Sequence, residues 1–260
     1  MMAVNGKVQM EALKKVKTIL VTQPKPERSP YYDLEKKYEL QIDWRPFIHV
    51  EPIAAQAFRK QRIYPEQYAA VILTSKNAVD HFFRLCEEMR IKMPQETKYF
   101  CLTEQIANYL QKFIIYRKRK VFSGTKSIED LGSALKKHKT EKFLLPCSNL
   151  GAKDVTSYLE AHNYAYQDAM MYQTVSSDLS DLSDVTYDVL VFFSPLDLKS
   201  LYDNFPDFKQ NDTRIAIFGN STGKEVEERG LTINIKAPIP DAPSMPMALE
   251  KYLQVSNKES

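Results

Sequence analysis

Seven glycines in 260 residues are too few and too scattered to spell G-x-G-x-x-G, so ordinary NAD or FAD binding lacks its turn. Cysteine is also scarce. Cys86, Cys101 and Cys147 are odd in number and far apart, which supports neither a disulfide framework nor a zinc site, and reduced, mostly buried thiols are expected. His49, His81, His138 and His162 lack the paired spacing of a metal site, so neither metal nor cofactor is expected. No apolar run approaches the ~20 residues of a membrane span. Met1 to Lys17 carries scattered polar residues where a signal peptide would have an apolar core, so the expected compartment is the cytoplasm, with no membrane partner. Neither sign of charge dominates. With 36 basic and 33 acidic residues the chain is too balanced for general nucleic-acid binding. Its densest basic run, Arg117, Lys118, Arg119 and Lys120, reads first as a solvated strand or loop edge.

What remains is the composition of a globular chain, 43% hydrophobic and 27% charged, long enough for one large domain or two modest ones. A short β-branched or aromatic run recurs, ends in Ser or Thr, and passes into helical periodicity. Thr18 to Val21 leads into Thr22 and Gln23; Val71 to Leu73 into Thr74 and Ser75; Tyr99 to Leu102 into Thr103. Phe143 to Leu145 leads through Pro146 and Cys147 to Ser148; Val189 to Phe193 into Ser194; Ile215 to Phe218 into Gly219, Asn220, Ser221 and Thr222. Continuous apolar strands without alternation belong to parallel sheets covered on both faces, with helices as crossovers. An α/β, doubly wound architecture follows.

Two of these units resemble each other: Leu73-Thr74-Ser75-Lys76-Asn77-Ala78-Val79 and Phe193-Ser194-Pro195-Leu196-Asp197-Leu198. Their separation points to two similar domains. Trp44 to Ile53, with proline near both ends, and Ala169 to Val175, followed by Asp178, Asp181 and Asp184, read as extended connectors that pair as a two-stranded hinge. The expected division is residues 1–45 and 176–260 for one domain, 46–53 and 168–175 for the hinge, and 54–167 for an inserted second domain, with a cleft between the two as the site.

Ligands of open parallel sheets bind beyond the carboxyl ends of the strands, where helix N-termini aim unsatisfied N–H groups outward. Ser75 and Ser194 read first as helix caps. Several such ends together also favour a ligand with many acid groups. Phe218 to Lys224 invites comparison with a P-loop and fails it: three residues, not four, separate its glycines, and Glu225 follows the lysine. Tyr172 reads either as a buried strand tyrosine or as a phenol able to donate a proton to a leaving oxygen.

In order and spacing, Ile19 to Pro24, Pro46 to Ile48, Val71 to Val79, Met171 to Thr174, Val191 to Pro195 and Ile217 to Thr222 resemble the uroporphyrinogen-III synthase family across nearly the whole chain. Gln23 stands where the family often has Arg, Thr103 and Ile106 where Gly and Thr are frequent, and Gly223 where Ala follows the Thr. The resemblance implies two α/β domains joined by a two-stranded ladder, no cofactor, and a monomer. It implies a substrate, hydroxymethylbilane, that is a linear tetrapyrrole with eight carboxylates. It also implies a lyase that closes this chain to uroporphyrinogen III, with ring D inverted and water lost. Tyr172 is then the group assisting hydroxyl departure. Thr22, Gln23, Thr74, Ser75, Lys76, Asn77, Ser148, Ser194, Pro195, Leu196, Gly219, Asn220, Ser221 and Thr222 are then the substrate-binding residues. A hinged receptor for a small polyanion would share these turns without needing a proton donor. A two-domain glycosyltransferase would want a nucleotide-sugar pocket that the glycine-poor turns do not announce.

Overall fold

A computed structural model describes residues 14–182 and 186–257; Asp184 of the acidic segment and the first thirteen residues lie outside them. The strand-forming runs and the helical periods alternate as their patterns require. In chain order the elements are β1 (Thr18–Val21), α1 (Tyr31–Tyr38), β2 (Gln41–Trp44), β3 (Ile48–Pro52), α2 (Ala55–Arg59), β4 (Ala70–Leu73) and α3 (Lys76–Glu88). Then come β5 (Lys98–Cys101), α4 (Glu104–Leu110), β6 (Val121–Ser123), α5 (Gly132–Lys137), β7 (Phe143–Ser148), α6 (Lys153–Ala161) and β8 (Tyr166–Ser176). The chain closes with β9 (Val189–Phe192), α7 (Pro195–Asn204), β10 (Arg214–Phe218), α8 (Asn220–Glu228), β11 (Ile233–Ala237) and α9 (Met245–Ser256).

The chain divides into two compact units, residues 1–49 with 175–260, and residues 50–174. The first holds a five-stranded sheet ordered β11-β10-β9-β1-β2, every pairing of which is parallel. Its direction of growth reverses between β9 and β1. Successive residues of β9 supply opposite faces: Val189 and Val191 pack with Ile19, Val21 and Leu249, whereas Leu190 and Phe192 pack with Leu20, Leu198 and Val226. That two-sided burial is why the strand reads as a continuous apolar run.

The second sheet is ordered β3-β8-β7-β4-β5-β6, with β4, β5, β6, β7 and β8 parallel and the reversal between β7 and β4. Val71 and Leu73 face Phe82, Leu85 and Met171, while Ala70 and Ile72 face Leu131, Leu135 and Leu159. The α/β class and its parallel sheets are as the sequence leads one to expect. Among the described residues no helix is long and apolar enough to cross a membrane.

Three expectations change. Trp44 does not join the extended connector; it ends β2, and the connecting strand starts at Ile48, after Pro46 has interrupted the hydrogen-bonding run. Lys120 does not belong to a solvated run: it is 7% exposed, because its ammonium is drawn onto the Glu96 carboxylate at 2.8 Å and the Gln95 carbonyl at 2.5 Å. Arg117, Lys118 and Arg119 are exposed. The strands β2, β6 and β11 also exist where no βα junction flags them. The three cysteines are free and buried, as expected.

Candidate functional site

In the second unit, the sheet's reversal point places the end of β4 beside the end of β7, the position at which open α/β sheets bind ligands. Thr74 follows β4, and Ser75 caps α3 by accepting from the Ala78 N–H at 3.1 Å. Lys76 and Asn77 are exposed on the first turn, where helix geometry gives their N–H groups no carbonyl of their own helix. The Lys76 ammonium lies 5.5 Å from the Tyr109 ring centre, and the Tyr109 hydroxyl donates to Asp80 at 2.8 Å. Ser148 ends β7 and is buried, its hydroxyl accepting from the Leu150 N–H at 3.2 Å. A register shift after Cys147 brings Ser148 opposite Tyr172 on β8.

Tyr172 is 8% exposed. Burial pushes its phenol above the ordinary tyrosine value, an effect opposed by a hydrogen bond from the Ser75 hydroxyl and reinforced by Cys147. The phenol therefore keeps its proton through the whole working pH range. Two residues that sequence reasoning missed complete this cluster. His81 lies flat on the phenol ring, and Arg84 donates from Nε to His81 Nδ1 at 3.4 Å. Arg84 also donates through Nη2 to the carbonyls of Ile53 at 2.9 Å and Met171 at 3.2 Å, which ties α3 to the strand carrying Tyr172. Burial, helped by the Arg84 charge and opposed by Asp80, lowers the His81 pKa, so the stacked ring is neutral. His81 and Arg84, three residues apart on α3, share one helical face, and that spacing was the signal available for finding them.

In the first unit the reversal point lies between β1 and β9, so Thr22 and Ser194 are neighbours. Ser194 caps α7 by accepting from the Asp197 N–H at 3.3 Å, and Asp197 returns the bond by accepting from the Ser194 N–H at 3.0 Å. The same Asp197 oxygen accepts from Phe193 N–H at 2.8 Å and lies 3.0 Å from the Thr22 hydroxyl, which is also 2.9 Å from the Val191 carbonyl. Asp197 is a further residue that the search for site residues passed over. Burial raises its pKa against these donors. Thr22 is 3% exposed, and its hydroxyl is spent inside the fold, whereas Gln23 is exposed. Pro195 and Leu196 form the half-buried first turn of α7.

The β10 junction is built differently. Gly219 has φ +86°, a conformation that favours glycine, and gives α8 no side-chain cap. Asn220 and Ser221 are exposed. Thr222 is fully buried, its hydroxyl donating to the Phe218 carbonyl at 2.9 Å. The N–H groups of this first turn, not the Thr222 hydroxyl, are left to meet an anion. Gly219 to Gly223 also spells G-x-S-x-G, the letters of a hydrolase elbow. An elbow holds its serine in the strained turn, but here Gly219 takes the turn and Ser221 is already helical. The Thr103 junction caps α4 through the Ile106 N–H at 3.3 Å.

Tyr172, Ser75 and Ser148 therefore converge within one unit, and Thr22, Ser194 and Gly219 line the equivalent strand ends of the other. A family model described as uroporphyrinogen-III synthase HemD matches residues 34–246. The uroporphyrinogen-III synthase of Chlorobaculum parvum is 23% identical over 252 residues, covering 92% of this chain and all of that one. Among solved structures, the uroporphyrinogen-III synthetase of Helicobacter pylori superposes with a TM-score of 0.58 at 18% identity, covering 92% of this chain and 99% of that one. A Thermus thermophilus uroporphyrinogen III synthase mutant gives 0.54 at 12% identity, covering 94% and 100%. These two show the same fold. With a family model spanning most of its length and two parallel sheets arranged as this fold requires, the chain belongs to the uroporphyrinogen-III synthase family.

Proposed function

We propose that this chain cyclises hydroxymethylbilane to uroporphyrinogen III, as a cyclising lyase of heme biosynthesis, with Tyr172 assisting departure of the terminal hydroxyl. The observation that carries the role of Tyr172 is its burial at the strand ends of the second unit, covered on its face by His81 and set opposite Ser148. Loss of hydroxide from the linear chain leaves a cation. A proton or hydrogen bond placed on the departing oxygen lowers that barrier, and general acids of this kind contribute roughly 10²–10⁴-fold. The substituted carbon of ring D then attacks the cation to give a spiro intermediate; the old bond from that carbon to the ring C methylene breaks, leaving a second cation there, and the free carbon of ring D attacks it and loses its proton, so the ring is turned over.

Uncatalysed closure gives the uninverted isomer, so much of the work is positioning. The reading assigns that to the strand-end turns: Thr74, Ser75, Lys76, Asn77 and Ser148 in one unit, and Gln23, Ser194, Pro195, Leu196, Gly219, Asn220 and Ser221 in the other. Thr22 and Thr222 contribute through their backbone, since their hydroxyls serve the fold. Helix-start N–H groups favour each carboxylate by about 0.3–1 kcal/mol. Three free buried thiols accord with a reducing compartment, and the reading includes a cytoplasmic monomer, which light scattering on the purified chain checks.

The test is incubation with freshly prepared hydroxymethylbilane followed by chromatographic separation of the product isomers. Excess isomer III over the spontaneous reaction is expected. Isomer I alone, at the spontaneous rate, overturns the reading.

A further inference from the structure

We propose that the second unit carries a docking face for the surface of an anionic lipid bilayer, made by the segment that joins α4 to β6. Residues 111–119 are exposed except Ile114. Apolar and cationic side chains share that stretch: Ile115 is 85% exposed, Tyr116 41% and Phe113 39%, with Lys112, Arg117, Lys118 and Arg119 in water beside them. Three exposed apolar side chains within four residues are a patch, which in a water-borne chain marks a contact surface. No Asp or Glu occurs between Glu104 and Glu129, so the segment does not neutralise itself. The acidic side chain facing Arg117 and Arg119 is Glu96, and the Lys120 ammonium already holds it at 2.8 Å. None of the four exposed cations makes an ion pair among the described residues.

The patch has depth. Beside it lies a cavity of about 320 Å³ lined by Phe83, Ile91, Met93, Phe113 and Ile115, and by Arg117. Hydrocarbon walls with a guanidinium among them match the two chemistries of an anionic lipid, an apolar tail and a phosphate. Surfaces of this kind settle into the headgroup layer, held jointly by apolar burial and by attraction to anionic lipid. A single-stranded nucleic acid would use the cations and stack on Tyr116, but it gains nothing from Ile115. Because β5 starts at Lys98 and β6 at Val121, the face lies at the amino ends of these parallel strands, at the opposite end of the sheet from Ser75 and Tyr172. A docked bilayer thus leaves the strand-end turns of this unit open. Such contact needs neither a spanning helix nor a leader, and it does not depend on the cyclase reading.

The probe is a vesicle of phosphatidylcholine with about one-third phosphatidylglycerol, sedimented with the whole chain beside vesicles of phosphatidylcholine alone and, separately, beside polyuridylate. Binding to the anionic vesicles is expected, weaker by at least about fivefold for neutral ones and lost at ~1 M salt, where attraction reaches only ~3 Å. Ile115→Ser changes a side chain that is almost wholly in water, so the core is untouched, and it should weaken binding about fivefold. Arg117→Gln, Lys118→Gln and Arg119→Gln together should weaken it at least about twentyfold, each cation near such a surface being worth roughly fivefold. Both variants should melt with the parent and form isomer III at its rate. Equal binding to neutral vesicles, no binding at millimolar lipid, or an Ile115→Ser chain that binds like the parent overturns the proposal. Polyuridylate bound without regard to Ile115→Ser, with the vesicles left unbound, assigns the cations to RNA and overturns it too. Vesicle binding by a chain that makes no isomer III keeps the docking face and sinks the activity; isomer III from a chain that ignores vesicles does the reverse.

Discussion

The imidazole of His81 stacks on the phenol of Tyr172, ring centres 4.9 Å apart and planes 16° from parallel. One helix thus covers the tyrosine with the His81 ring, while Arg84 from the same helix donates to the Met171 carbonyl next to it. The arrangement fixes the phenol's direction without adding a charge, since burial and Arg84 keep the imidazole neutral.

If that stack orients the phenol, His81→Ala should lower kcat several-fold while KM stays within about twofold, the split expected when an interaction matters mainly in the transition state. His81→Phe, which keeps a flat ring, should recover most of the loss. Steady-state kinetics on the two variants, with thermal melts as a control for folding, make the comparison. Equal losses in both would point to the imidazole nitrogens instead of the stack.

The capping serines should behave as structural residues first. Ser75→Ala and Ser194→Ala each remove an N-cap, which costs about 0.5–2 kcal/mol, readable in urea melts. Turnover should fall by no more than about tenfold, ~1.4 kcal/mol, because the helix N–H groups that hold carboxylates survive the change. Abolished activity in a folded Ser75→Ala protein would contradict this division of labour.

Asp197 gives a pH dependence with a definite sign. Burial raises its folded pKa above the unfolded value, so whatever stability it lends is fully present below the unfolded pKa and is lost as pH rises through the folded one. Asp197→Asn removes that titration. The melting temperature of the parent chain relative to Asp197→Asn should therefore decline as pH rises from about 4, and a difference that grows instead would show the carboxylate to be net stabilised by its donors.

The thiols should be unreactive. Burial pushes Cys86 and Cys101 up to about 12 and Cys147 up to about 11, and the thiolate is the reactive form. Iodoacetamide at pH 8 should leave the native chain unlabelled by mass spectrometry and label it three times in denaturant. Labelling of the native chain at any of the three would locate a local opening.

Strand cores and their Ser or Thr ends were legible because two-sided burial writes an unbroken apolar run. Thr18 to Val21 is strand β1 residue for residue. β2 and β6 escaped notice as edge strands: Gln41 and Asp43 break the apolar run of one, and the other is three residues long. The loss of Thr22 and Thr222 as side-chain ligands could not be read from sequence, since their partners, Val191 and Asp197 for one and Phe218 for the other, follow from register and helix geometry.

Single-turnover conversion of hydroxymethylbilane by the parent chain and by Tyr172→Phe tests the central claim most directly. Removing the phenol's proton should slow formation of isomer III by roughly 10²–10⁴-fold, with circular dichroism and melting temperature near those of the parent. A Tyr172→Phe chain that is equally folded and forms isomer III at the parent rate would show that the hydroxyl leaves without help from this residue.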